Sequence, residues 1–153
     1  MRDHEFRVIP GRGGKLFKRA MRCLRYAADN GFGALVFVID QDDEPERREP
    51  LDRAQEYDGV AIGRAFGLAV RTFDAWMIAD EQALSKILGR IIQRQPSPEA
   101  ISDAKSHCKS LLGSAALGLT DLYKAIADEA IIERIEERCP IGFAPFAARV
   151  RRL

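Results

Sequence analysis

Ala34-Leu35-Val36-Phe37-Val38-Ile39 is an unbroken apolar run, rich in β-branched and aromatic side chains, that stops at Asp40-Gln41-Asp42-Asp43-Glu44. Apolar residues on both parities predict a strand covered on both faces, the pattern of an interior strand in a parallel sheet. Parallel neighbours need a crossover, usually a helix, so the run commits the chain to an α/β architecture. In open α/β sheets ligands bind beyond the carboxyl ends of the strands. Here that end carries Asp-x-Asp.

If the backbone stays extended through Asp42, the side chains of Asp40 and Asp42 project to one side with Cβ atoms roughly 7 Å apart. Two carboxylates about 4 Å apart repel by roughly 4 kcal/mol at an effective dielectric near 20. Such a pair takes a cation, shares a proton or withdraws into water. A hard cation such as magnesium or manganese suits the first outcome, since magnesium binds oxygen ligands at about 2.1 Å and keeps several waters. The last outcome is also open, because Asp and Glu are ordinary turn and helix-start residues. Asp43, Glu44 and Glu46 around Pro45 fit the opening of the next helix.

At 153 residues the chain is long enough for one domain with a real core. A net charge of +1 neither requires nor excludes a polyanionic partner. The charge is unevenly placed. Arg2, Arg7, Arg12, Lys15, Lys18, Arg19, Arg22 and Arg25 crowd the first 25 residues, and acidic residues dominate 40–52. Lys15, Lys18, Arg19 and Arg22 form a helical stripe that is either a solvated face or a seat for a nucleic-acid backbone. Cys23, Cys108 and Cys139 are odd in number and too far apart for a zinc signature, which suits reduced thiols. With no signal peptide and no apolar run near the ~20 residues of a membrane span, a cytoplasmic protein without membrane contact is expected.

Along the chain the pattern predicts a short strand at Phe6–Ile9, a Gly-rich turn lacking the P-loop and dinucleotide spacings, and a helix from about Lys15 to Asp29. After the 34–39 strand comes a weak helix over 46–56, with Leu51 and Ala54 inward. Two short strands, Val60–Ile62 and Leu68–Val70, are expected to be broken by Gly63 and Gly67. A buried helix then runs from Phe73 toward Leu88, with Thr72 as its N-cap. Asp80 falls on its apolar face, either capping a second segment from Glu81 or serving the site. Asp74, in the first turn and just past a strand end, suits the helix dipole and also stands at the site's edge. Helices near 99–112, 120–127, 128–138 and 143–152 complete the chain. His107 reads as a satisfied or surface residue, and Lys105, Lys109, Arg149, Arg151 and Arg152 as solvated. The expected organisation is a single domain over 1–153, with an α/β part over 1–93 and a helical part over 94–153.

Val-Ile-Asp-Gln-Asp-Asp, then Phe-Asp-Ala-Trp-Met-Ile-Ala-Asp, then Cys-Pro-Ile-Gly-Phe-Ala-Pro-Phe in this order resembles the small prokaryotic Toprim-like proteins known as domain of unknown function 4276. The likeness runs from about Phe6 to the end. In that family the second motif usually reads Glu-Ala-Trp-Leu-Leu-Ala-Asp, so Asp74 stands where the Glu would be and Asp80 matches the closing Asp. The resemblance implies a Toprim-like parallel sheet flanked by helices, with a helical C-terminal part. It also implies magnesium-dependent phosphodiester chemistry run by Asp-x-Asp and a Glu ending an earlier strand, as in nuclease-like components of phage-defence or ATPase-linked cassettes.

The family's leading Glu has no match here. Glu5 is the only Glu ahead of Asp40 and precedes its strand instead of ending it. A chain that lost the first β-α unit, or a degenerate Toprim that binds metal without cutting, fits this pattern. A lost strand would leave a sheet edge for a second copy to cover, making a homodimer. The expected site is Asp40 and Asp42 as Mg2+ or Mn2+ ligands with Asp74 assisting, acting on nucleic acid. The rival expectation is a catalytically silent module that binds a defence or ATPase partner protein.

Overall fold

The computed structural model describes residues 16–113 and 118–153. Phe6–Ile9, the Gly-rich turn and Lys15 lie outside them. Among the described residues the fold is mixed α/β and mostly helical, with eight α-helices and one two-stranded parallel sheet. Helix α1 (Leu16–Asp29) leads into β1 (Ala34–Asp40), and α2 (Arg48–Glu56) returns the chain to β2 (Gly63–Ala69). Then follow α3 (Asp74–Met77), α4 (Glu81–Leu88), α5 (Ala104–Leu112), α6 (Leu119–Glu129), α7 (Ile132–Arg138) and α8 (Phe143–Val150). The strands pair from Ala34 opposite Gly63 to Asp40 opposite Ala69.

Strand parity divides the core in two. Phe37, Phe66 and Leu68 turn toward α1 and α2, meeting Leu24, Leu51 and Ala54. Phe37 and Phe66, directly opposite in the register, touch edge to face at 5.6 Å. Val38 and Ala69 face the other way, into a cluster built on Trp76 and fed by every helix from α3 to α8. That second layer covers only part of the sheet. Val36 is 52% exposed, so the two-sided cover expected of the whole run holds at Phe37 and not at its start.

The strand expected at Val60–Ile62 does not form. The one strand here, β2, begins at Gly63 and runs through Gly67 to Ala69, because Gly67 marks a close approach instead of a break. A Cβ on Gly67 would lie 2.7 Å from the Phe146 ring, which stacks on Trp76 at 5.6 Å. The outward edge of β2 is sealed by side chains. Phe66 N–H donates to Gln55 Oε1 at 2.9 Å, and Gln55 Nε2 donates to the Arg64 carbonyl at 3.1 Å, so one amide side chain imitates a neighbouring strand. Arg149, expected to be solvated, instead reaches the Phe66 carbonyl and Asp52, each at 2.8 Å. Arg151 is bound to Glu136.

The helix expected from Phe73 to Leu88 is broken between Met77 and Glu81. Asp80 causes the break. It is 1% exposed and caps α4, accepting from Gln82 and Ala83 amides at 3.0 and 3.1 Å. It also accepts from the Ile131 amide at 3.0 Å and from Arg134 at 2.5 Å, which ties α4 to the start of α7. Burial raises its carboxyl, but these donors outweigh burial and hold it below the ordinary range. Thr72 caps nothing; Phe73 occupies the N-cap of α3 without a side-chain bond. The helix expected over 99–112 begins only at Ala104, capped by Asp103; buried Glu99 lies in a 3-10 turn ahead of it and accepts from the Ile141 and Gly142 amides at 2.9 and 2.8 Å, at the entrance of α8. No helix among the described residues is long and apolar enough to cross a membrane.

Asp80→Ala strands the Arg134 charge and three amides, and should lower stability by about 3–5 kcal/mol in urea unfolding. Wild type should also lose stability as pH falls from the ordinary carboxylate range through the depressed folded-state pKa of Asp80, and Asp80→Ala should lack that part of the pH dependence. Gly67→Ala should cost about 1–3 kcal/mol through overpacking against Phe146, with the loss relieved in a Gly67→Ala, Phe146→Leu double variant.

Candidate functional site

At the carboxyl end of the sheet the ladder continues for two residues past β1, with Gln41 N–H bonded to Ala69 O and Asp42 N–H to Arg71 O, both at 2.8 Å. The backbone then turns. Asp42 and Arg71 have φ of +51° and +61°, left-handed values uncommon outside glycine. The extended geometry that would aim Asp40 and Asp42 together therefore stops at Asp40. Asp42 instead meets Arg47 at 2.7 Å. Arg47 also holds Glu44 at 2.7 and 3.0 Å and the Asp40 carbonyl at 2.7 Å, while Arg71 holds Asp43 at 2.8 Å. Three carboxylates of the acidic run are thus paired with two guanidiniums, Asp42 and Glu44 sharing Arg47.

Asp40 and Asp74 are held differently. Phe73 N–H donates to Asp40 Oδ1 at 2.7 Å, and the Tyr123 hydroxyl donates to Asp74 Oδ1. Both donors are neutral, so neither cancels a carboxylate charge. The bond to each is made at Oδ1, and the Cys108 thiol also lies against Asp74. Burial pushes the Asp40 carboxyl above the ordinary range, the Phe73 amide opposes this, and the charges of Asp42 and then Asp74 add to it. Lys105 on α5 pulls weakly the other way. Burial, reinforced by the bond to Asp74, raises the Tyr123 phenol far above the ordinary range, so it stays a proton donor at any working pH. Cys108 lies 3.7 Å from that hydroxyl, its thiol pushed up by burial to about 11.

Asp40 and Asp74 are therefore the carboxylates of this edge that form no ion pair among the described residues; the charge of Asp74 is felt at Asp40, and Asp42 is turned to Arg47. Asp80 belongs to the core. Lys18 and Arg22 are exposed on α1, and Arg19 is half-buried. Phe17, in the first turn of α1, packs against Tyr57 at 6.3 Å and under the Arg53 guanidinium. Tyr57 in turn accepts from Arg64, near the start of β2. The opening of α1 is thereby anchored toward the end of the sheet opposite Asp40. His107 is satisfied by Gln95 Oε1 at 3.1 Å. Sequence reasoning did not reach Tyr123, 49 residues from its partner, nor the electrostatic reach of Lys105. Arg47 carried a legible signal, standing three residues after Glu44 and opening a helix.

Among the described residues no three His, Cys, Asp or Glu side chains are grouped so as to hold a metal by themselves. Two carboxylates fit a different arrangement, in which magnesium is bound by one or two carboxylates together with substrate phosphate. No protein-family model, no curated protein and no solved structure matches the chain.

Because Asp40 is raised in the folded state, its ionisation opposes folding. Asp40→Asn should unfold at higher urea than wild type at neutral pH, and the gain should vanish as pH falls through the raised value toward that of an ordinary aspartate. Equal stabilities at neutral pH would contradict the strained carboxylate.

Proposed function

We propose that the protein is a Toprim-like, divalent-cation-binding domain that acts on phosphodiesters of nucleic acid, with Asp40 and Asp74 as the carboxylates that hold Mg2+ or Mn2+. The observation that carries this reading is the contrast within one acidic edge. Asp42 and Glu44 share Arg47 and Asp43 pairs with Arg71, whereas Asp40 and Asp74 are held by neutral donors with no arginine. Leaving two coupled carboxylates uncompensated carries an electrostatic cost that a bound cation reverses. The location, beyond the carboxyl end of two parallel strands, is where α/β sheets bind ligands.

The bound cation would supply charge stabilisation at a phosphoryl oxygen and a more acidic water. The protein's own residues do the rest. Tyr123 orients Asp74, the Phe73 amide orients Asp40, and Arg47 withdraws Asp42 from direct competition for the ion while leaving its field in place. Lys105 offers a positive group for a phosphate arriving over the pair. The Glu that the Toprim pattern places on an earlier strand has no counterpart among the described residues of this edge, so the reading reaches metal-assisted phosphodiester processing and assigns no general base.

A second reading rests on the arginine clamps. Arg47 and Arg71 hold the loop after β1 in one shape, as a surface for a partner protein in a defence or ATPase-linked complex would require. Calorimetric titration of magnesium and manganese separates the two. The first predicts binding heat for wild type and at least a tenfold weaker affinity for Asp40→Asn and Asp74→Asn, with metal-dependent cleavage of single- or double-stranded nucleic acid by wild type. No heat and no cleavage leaves the interaction module.

A further inference from the structure

These two carboxylates share their edge with an aromatic ring. Phe73 is 37% exposed although its neighbours Ala75, Trp76 and Met77 are buried. Its backbone amide is the one that holds Asp40, the next residue is Asp74, and its ring touches Tyr123, the partner of Asp74. It is also braced. Trp76 meets it at 5.5 Å and Tyr123 at 6.4 Å, both near 61° between planes. Tyr123 is in turn the residue that orients Asp74. A partly exposed phenyl ring restrained by two aromatics suits a stacking platform, because little side-chain freedom remains to be lost.

A phosphate ester bound by ion and carboxylates brings its adjoining group over this ring. Of the groups such an ester can carry, an unpaired nucleobase gains most from an aromatic ring, by stacking on it, and only when it is not already stacked in a duplex. Lys105, whose charge is felt at Asp40, and Lys109 one turn on are both exposed on α5 and suit flanking phosphates. We infer that the site receives single-stranded nucleic acid, with one unpaired base laid on Phe73 and its phosphate at Asp40 and Asp74. This rests on the cation-binding reading of the same carboxylates and adds the strand type and the residue that selects it.

The test is anisotropy of a labelled short oligothymidylate in calcium, compared with an abasic oligomer of equal length and a matched duplex. Stacking of one base predicts that the abasic strand and the duplex bind about 5- to 100-fold more weakly than oligothymidylate. Phe73→Ala should weaken oligothymidylate by a similar factor and leave the abasic strand unchanged, while Phe73→Trp should retain binding. Magnesium heat is read in wild type, independently of these variants. Trp76, the only tryptophan, should change its emission when oligothymidylate binds and not when the abasic strand does. Equal affinity for abasic and base-bearing strands, or an unaltered Phe73→Ala, overturns the inference while magnesium heat in wild type leaves the cation site standing. Absent magnesium heat in wild type instead removes the reading beneath it.

Discussion

One hydrogen bond, from the Phe73 amide to Asp40, joins segments 33 residues apart and gives the molecule a defined site edge. It depends on the parallel pairing of β1 and β2, which brings Asp40 opposite Ala69 and carries the Arg71-Thr72-Phe73 turn over the end of β1. A slip of one residue would exchange the faces of Phe37 and Val38 and destroy both core layers. Packing on the two faces of the sheet therefore sets the register, and the register sets which carboxylates meet.

The same physics sorts the acidic residues into kinds. Asp80 and Glu99 are buried carboxylates satisfied by amides at helix entrances, and Asp80 adds Arg134, so both serve the fold. Asp42, Asp43 and Glu44 are largely exposed ion pairs with arginines, each worth little in stability but able to fix a loop when several act together. Asp40 and Asp74 are held by neutral donors and by no arginine. A stability argument does not explain that third kind, since the Asp40 carboxyl is strained by burial and by its acidic neighbours.

Much of this was legible in the residues. The Ala34–Asp40 strand announced itself through an apolar run with no competing helical period, and Asp40 through its position at the end of that run. Asp74 was legible as a carboxylate just past a second strand. β2 was misread because glycine lowers strand propensity locally, while the reason for Gly67, room for the Phe146 ring, lies 79 positions away in sequence. The Asp40–Asp42 pairing failed on a single backbone angle, since Asp42 enters a left-handed turn that the sequence Gln-Asp-Asp permits without demanding. Tyr123 and Arg149 gave no local signal at all; their roles exist only where α6 and α8 dock.

The central claim concerns where a divalent ion sits. Paramagnetic broadening of assigned amide resonances by substoichiometric Mn2+ locates it directly. The account predicts loss of signal centred on Asp40, Phe73 and Asp74 and extending to Lys105, and abolished by Asp40→Asn. Broadening centred on Asp42–Glu44, or spread evenly over the acidic surface, would contradict it.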